Sequence, residues 1–220
     1  ITPKLAVGSW IKYLGHFLFD YIELYIGDEL VQKITDDYLH INYSLNVPKQ
    51  KEPKYLQNIG YTYNTLKNAH IIPGFDIYLM LPWFFDNPGL YLPLISLIHT
   101  KVHIKIKTKE IEKLINIYDD VKVTFIKDFT DDLTNTQENT IFVEKINKPR
   151  LNTFLLADYV FLDNEERDKF ITHRHEYIID QIQYLPTKYF KRNDIINGDT
   201  SLKLRFHNCV KDIFWFGQME

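Results

Sequence analysis

Strict alternation of apolar and polar residues recurs along the chain. In Asp20–Gly27 (DYIELYIG), Ile22, Leu24 and Ile26 share one parity while Tyr21, Glu23 and Tyr25 share the other. That period of two is the signature of a strand with one buried face. Lys101–Thr108 (KVHIKIKT) sets Val102, Ile104 and Ile106 against His103, Lys105 and Lys107, the cleanest such pattern present. Val121, Val123 and Phe125 repeat it, as do Leu202, Leu204 and Phe206. Further strands are predicted near Leu39–Leu45, Thr140–Glu144, Phe154–Leu162, Tyr177–Tyr184 and Ile213–Phe216. Many short strands at a spacing of roughly 8–12 residues indicate an all-β sandwich or barrel.

Three short helices interrupt the strands. Pro53 suits a first helical turn, and Leu56, Ile59, Tyr63 and Leu66 follow it at helical spacing. Ile111, Leu114 and Ile115 predict a second helix. Asp163 followed by Glu166 predicts the capped start of a third. Between Glu144 and Asn152, Pro149 and a run of charges mark the natural boundary between two strand-rich regions.

Composition strengthens the β reading. Of 220 residues, 45% are hydrophobic and 15% aromatic, with fifteen Phe, fifteen Tyr and three Trp. Aromatic side chains pack well on pleated surfaces. The formal net charge of -3 argues against a nucleic-acid partner, which calls for a basic excess. The single cysteine, Cys209, rules out an internal disulfide framework and suits a reducing compartment. The richest apolar run, Ile77–Ile98, is broken by Pro82, Asp86, Pro88 and Pro93, so no direct membrane insertion is expected.

Two segments are distinctive together. One is the stretch Leu81-Pro82-Trp83-Phe84-Phe85, then Asn87-Pro88-Gly89-Leu90 and Leu92-Pro93-Leu94-Ile95, leading into a strand. The other is Leu155–Gln183, with Asp158-Tyr159-Val160-Phe161-Leu162-Asp163, Glu166-Arg167 and His175-Glu176-Tyr177. Both resemble the major capsid protein of nucleocytoplasmic large DNA viruses, the group that includes iridoviruses and phycodnaviruses. Trp10, Gly15 and Ile26-Gly27 resemble that family's early first-domain strand, and Phe206, Val210, Lys211, Asp212 and Trp215 its early second-domain strand. Trp83 directly after Pro82, and Cys209 where a proline is common, mark a divergent member.

The resemblance implies a double jelly roll, two antiparallel β-sandwich modules with short helices in loops. Residues 1–148 would form the first jelly roll, without its opening strand, and 149–220 the truncated beginning of the second. An internal fragment is therefore expected. The implied function is structural and non-enzymatic. The protein would be a homotrimer, a pseudo-hexagonal capsomer contacting neighbouring capsomers and minor capsid proteins in an icosahedral virion shell assembled in the host cytoplasm.

Candidate chemistry is sparse. His173 and His175 with Asp180, and His207 as a third imidazole, loosely mimic the metal pattern of cupins, which are also jelly rolls. The acidic residue is Asp, the flanking glycines are absent, and His173 belongs to a helix end, so structural histidines are the favoured reading. Cys209 and His207 share a strand face, but no group orients the imidazole for nucleophilic work. The dispersed glycines form no phosphate-cradling loop. Glu165 and Glu166 suit a helix first turn, where the dipole favours carboxylates. Asn42-Tyr43-Ser44 fits the N-glycosylation sequon. No catalytic, cofactor-binding or metal residue is assigned, and no cofactor is expected. The rivals are a cupin-like metal-dependent enzyme and a carbohydrate-binding sandwich built on exposed tyrosines.

Overall fold

The structure, a computed structural model, describes residues 7–69, 71–117, 151–185, 188–189, 201 and 203–215. It comprises two compact units, residues 1–180 and 181–220. The predicted strands at 121–125 and 140–144 lie outside the described residues, as does most of the predicted boundary at 144–152.

The first unit is an antiparallel β framework linked by short helices, with no closed barrel among the described residues. Strand β1 (Gly8–Trp10) precedes helix α1 (Leu14–Phe17), and the hairpin β2 (Phe19–Ile26) and β3 (Glu29–Thr35) follows. Gly27, at φ 65°, makes the hairpin turn that a Cβ would strain. Next come α2 (Asp36–Asn46), α3 (Glu52–Asn58) and α4 (Tyr63–Leu66), then β4 (Val102–Thr108), β5 (Ile115–Ile117) and α5 (Asn164–Thr172). Strand β2 is the centre of a three-stranded sheet ordered β3-β2-β4, and β1 pairs with β5 in a second sheet. Both are antiparallel throughout.

The alternation that predicted β2 and β4 is realised in register. Ile22 faces Ile34 on one side and Ile106 on the other, and Leu24 faces Ile104. Ile22, Leu24, Ile34, Phe19 and Leu39 are buried with Trp83 and Phe84 in the core. Strand β2 therefore supplies the core floor, and the connection before β4 supplies its cover.

Several predicted elements differ. Leu39–Leu45 is helical, within α2, because Leu39 and Tyr43 lie four apart and satisfy strand and helix periods alike. The local chemistry decides for helix. Thr35 Oγ1 accepts the Tyr38 N–H at 3.3 Å, and Asp36 and Asp37 occupy the positive first turn. The helix begun at Pro53 breaks at Gly60, which sits at φ 80°, into α3 and α4. Ile111–Lys113 is a single 3-10 turn ahead of β5. Helix α5 starts as predicted, with Asp163 Oδ1 accepting the Glu166 N–H at 2.9 Å.

Phe154–Leu162, Tyr177–Tyr184 and the described parts of 201–206 and 213–216 carry no strand. Alternation defines a face but supplies no ladder partner, and a strand exists only where both are present.

Candidate functional site

The proline-rich connection is fastened at two points. Trp83 and Phe84 are each 5% exposed, and Phe84–Asp86 forms a 3-10 turn. Burying aromatic rings of this size contributes about 1.5–3 kcal/mol apiece. Gln32 reaches them from β3. Its Oε1 accepts the Phe84 N–H at 3.0 Å and its Nε2 donates to the Pro82 carbonyl at 3.2 Å. One side chain thus replaces the ladder that a proline-interrupted segment cannot make. Downstream, Leu94–Ser96 forms a second 3-10 turn, and Ser96 Oγ donates to the Phe170 carbonyl of α5 at 2.6 Å.

The histidines singled out from sequence sit at the end of that same helix. His173 Nδ1 lies 2.9 Å from the Lys169 carbonyl, and His175 Nε2 lies 2.7 Å from the Phe170 carbonyl. Carbonyl oxygens only accept, so these nitrogens carry protons and act as helix C-caps. A metal could reach these rings only through the opposite nitrogens, His173 Nε2 and His175 Nδ1. His207 belongs to the second unit, where its N–H donates to Gln183 Oε1 at 2.9 Å and its carbonyl accepts from Gln183 Nε2 at 2.8 Å. Among the described residues no group of three or more His, Cys, Asp or Glu could hold a metal ion. No helix among them is long and apolar enough to cross a membrane. The sequon at Asn42 lies inside α2, with Tyr43 buried and Asn42 Oδ1 accepting from Asn46 Nδ2 at 2.6 Å.

The most unusual chemistry joins α1, α2 and α3. His16 is 0% exposed, its Nδ1 stands 3.3 Å from His40 Nδ1, and its Nε2 is 2.7 Å from the Tyr55 hydroxyl. Tyr13 stacks on Tyr61 at 4.5 Å, Tyr43 on Tyr55 at 5.1 Å, and Tyr43 donates to Glu52 Oε1 at 2.6 Å. Burial, and then the neighbouring His40 charge, push His16 down to about 4. Burial also lowers His40 and pushes Tyr55 up to about 12. Gly15 permits the close approach of the elements. Its N–H donates to the Ile59 carbonyl at 2.9 Å, and a Cβ there would stand 2.9 Å from Ile59 Cβ.

The outer face of the three-stranded sheet is polar and self-satisfied. Glu23 lies between Lys33 and Lys105 in register. It accepts from Lys33 Nζ at 2.8 Å and from the Tyr25 hydroxyl at 3.0 Å. Burial raises its pKa, but those two hydrogen bonds and the charges of Lys33 and Lys105 outweigh burial and hold it below the usual range. Lys33 Nζ also lies 4.1 Å from the Tyr21 ring centre.

The features described are core cover, helix caps and clamps between segments. The family described as major capsid protein N-terminus matches residues 2–163. The chain belongs to that family. It is 23% identical to the major capsid protein of Phaeocystis pouchetii virus over 99% of its own length and 43% of that protein's. It is 24% identical to the major capsid protein of Paramecium bursaria Chlorella virus 1, over 98% of its length and 44% of the relative's. With probable capsid protein 3 of Acanthamoeba polyphaga mimivirus it shares 30% identity across 86% of this chain and 8% of that one. The chain spans less than half the length of each of these relatives. The resemblance to capsid proteins of large DNA viruses is thereby confirmed.

The capsid match takes in the Gln32 clamp, the proline-rich connection and the His16–His40 pair, and ends on the α5 cap, Asp163. Sequence reasoning missed Gln32 and the histidine pair. Gln32 shares the parity of Ile34 in β3, and a polar residue on a buried parity is a readable sign of a hydrogen-bonding task. His16 offered no such sign.

Proposed function

We propose that the chain is part of a double jelly-roll capsid protein that trimerises into a pseudo-hexagonal capsomer of an icosahedral shell. The first module would occupy residues 1–148 and the second would begin at 149. The single observation that carries the reading is the family match over residues 2–163. The relatives' names, major capsid protein in both phycodnavirus-like cases quoted, support a structural and non-enzymatic role. So does the chemistry of the described residues, where polar side chains are engaged in fastening segments together. The mechanism is assembly: packed apolar faces make each subunit stiff, and loops and edges carry contacts to neighbouring capsomers and minor capsid proteins. The protein would reside in the virion after assembly in the host cytoplasm.

Native mass spectrometry of the purified full-length viral protein tests the assembly, with three copies per particle expected. A stable monomer at micromolar concentration overturns the trimer. Absence of the protein from purified virions overturns the capsid role altogether.

A further inference from the structure

We propose that the His16–His40 pair is an acid-operated latch that holds α1 against α2 and α3 at neutral pH and releases it when both imidazoles are charged. The geometry carries the inference. Two Nδ1 atoms face each other at 3.3 Å, so one proton must lie between them. If His16 donates it, the Tyr55 hydroxyl donates to His16 Nε2. If His40 donates it, His16 Nε2–H donates to the Tyr55 oxygen. Both arrangements satisfy both ring nitrogens of His16.

One added proton, on the partly exposed His40, leaves the bridge intact. A second proton puts N–H against N–H and a second positive charge into a site from which water is excluded.

The surroundings do not offset that charge. Tyr13 stacks on His16 and meets the His40 ring edge-on, and Tyr61 stacks on Tyr13 in turn. From α2 come Asp37, whose own pKa is raised by burial and by Asp36, and Tyr43. Asp36 is engaged by Lys109. From α3 come Tyr55 and Glu52, and Glu52 already accepts from Tyr43 and Lys49. Asp37 acts on His40 and favours its charge, so His40 takes the first proton and His16 the disruptive second. Among the described residues no carboxylate hydrogen-bonds to His16.

The sign follows from linkage. Both histidines are lowered in the folded chain, so the unfolded state binds more protons in acid. The stabilising contribution is complete above the unfolded value near 6.5 and declines down to about 4. The reaction is reversible and involves only protons. The latch concerns the fold of this chain and stands whether or not three copies associate.

The test is hydrogen exchange of the full chain from about pH 7 to about pH 4, corrected for the intrinsic rate. Amides of Gly15–Leu18 and Ile59–Tyr61 are expected to lose protection on the order of a hundredfold, while β2 and β3 keep theirs. In His40→Gln, whose oxygen accepts from His16 and binds no proton, the second charge is gone and that selective loss should shrink severalfold, the part due to burial of His16 remaining. Unchanged protection of α1, a uniform loss over the whole unit, or an identical loss in His40→Gln each overturns the latch. Should the variant not fold, imidazole 15N spectra of the unaltered protein decide. His16 neutral until the pH approaches 4 supports the latch, and titration near 6.5 refutes it.

Discussion

Gln32 Oε1 accepts the backbone N–H of Phe84 at 3.0 Å across 52 positions of sequence. The same carboxamide donates to Pro82, so one buried side chain closes both backbone groups of the aromatic turn. Gln32→Ala strands an N–H and a carbonyl in the core, each at about 1–3 kcal/mol. We expect a loss of roughly 2–4 kcal/mol in urea denaturation followed by tryptophan fluorescence. Gln32→Glu should be no better, because a carboxylate repels the Pro82 carbonyl. A loss below about 0.5 kcal/mol would show that the turn stands without its clamp.

Gly60 supplies a second test of how the first unit closes. It occupies φ 80°, and a Cβ there would lie 2.2 Å from Phe75 Cε2. Gly60→Ala therefore meets two separate penalties, a left-handed backbone of roughly 1–2 kcal/mol and a ring in the way. Phe75→Ala removes only the ring. In a double-mutant cycle, Gly60→Ala should cost less in the Phe75→Ala background but still about 1 kcal/mol. Full rescue would mean the backbone conformation carries no strain.

The difference between these sites and the strands explains what sequence could tell. Strands β2 and β4 were legible because Ile22, Leu24 and Ile104 alternate with charged or aromatic residues over many positions. The Trp83–Phe84 cover was legible because prolines and aromatics leave few other uses for such a segment. Leu39 and Tyr43 misled because a spacing of four is common to both periods, and only the Thr35 cap decides between them. Phe154–Leu162 misled because its pattern speaks of a face and is silent about a partner. The histidine pair was illegible for a plainer reason. His16 and His40 are 24 residues apart on two helices, and nothing local to either records their meeting.

Acid stability should fall in two limbs with different owners. The first, between about pH 6.5 and 4, belongs to the lowered histidines and should shrink in His40→Gln, which removes one titrating group and its charge beside His16. The second belongs to Glu23, whose depressed carboxyl contributes above its unfolded value near 4.5 and loses that contribution as pH falls through the folded value. Glu23→Gln should flatten the second limb and leave the first. Thermal melts across the acid range separate them, and a variant that flattened both would show that the groups titrate as one.

Helix α5 is predicted to depend on a single carbonyl. Phe170 O accepts from Ser96 Oγ and faces His175 Nε2, so it links the second 3-10 turn to the chain after the helix. Ser96→Ala should cost about 1 kcal/mol and raise exchange across Asn164–Thr172. His173→Ala with His175→Ala should add a similar cap loss without changing metal content by elemental analysis. Stoichiometric metal that the double variant loses would instead revive the cupin-like reading.

The last prediction concerns solubility. Phe154, Leu155, Leu156, Tyr159, Val160 and Phe161 are all exposed, Phe161 at 94%, within eight consecutive positions. Soluble monomers rarely present a contiguous apolar stretch of this kind, because each such side chain keeps water ordered that burial would release. The segment also carries no helix or strand and pairs with no strand among the described residues, so its backbone groups are open to association. The 220-residue chain expressed alone should therefore self-associate at micromolar concentration and bind a hydrophobic dye at neutral pH. Phe161→Ser with Leu156→Asn should reduce both, and should leave the thermal midpoint nearly unchanged because neither side chain belongs to the core. Light scattering and dye titration supply the comparison. A monodisperse, dye-silent parent chain would mean that these residues find cover, and a large drop in the midpoint of the double variant would mean that the cover lies within the chain itself.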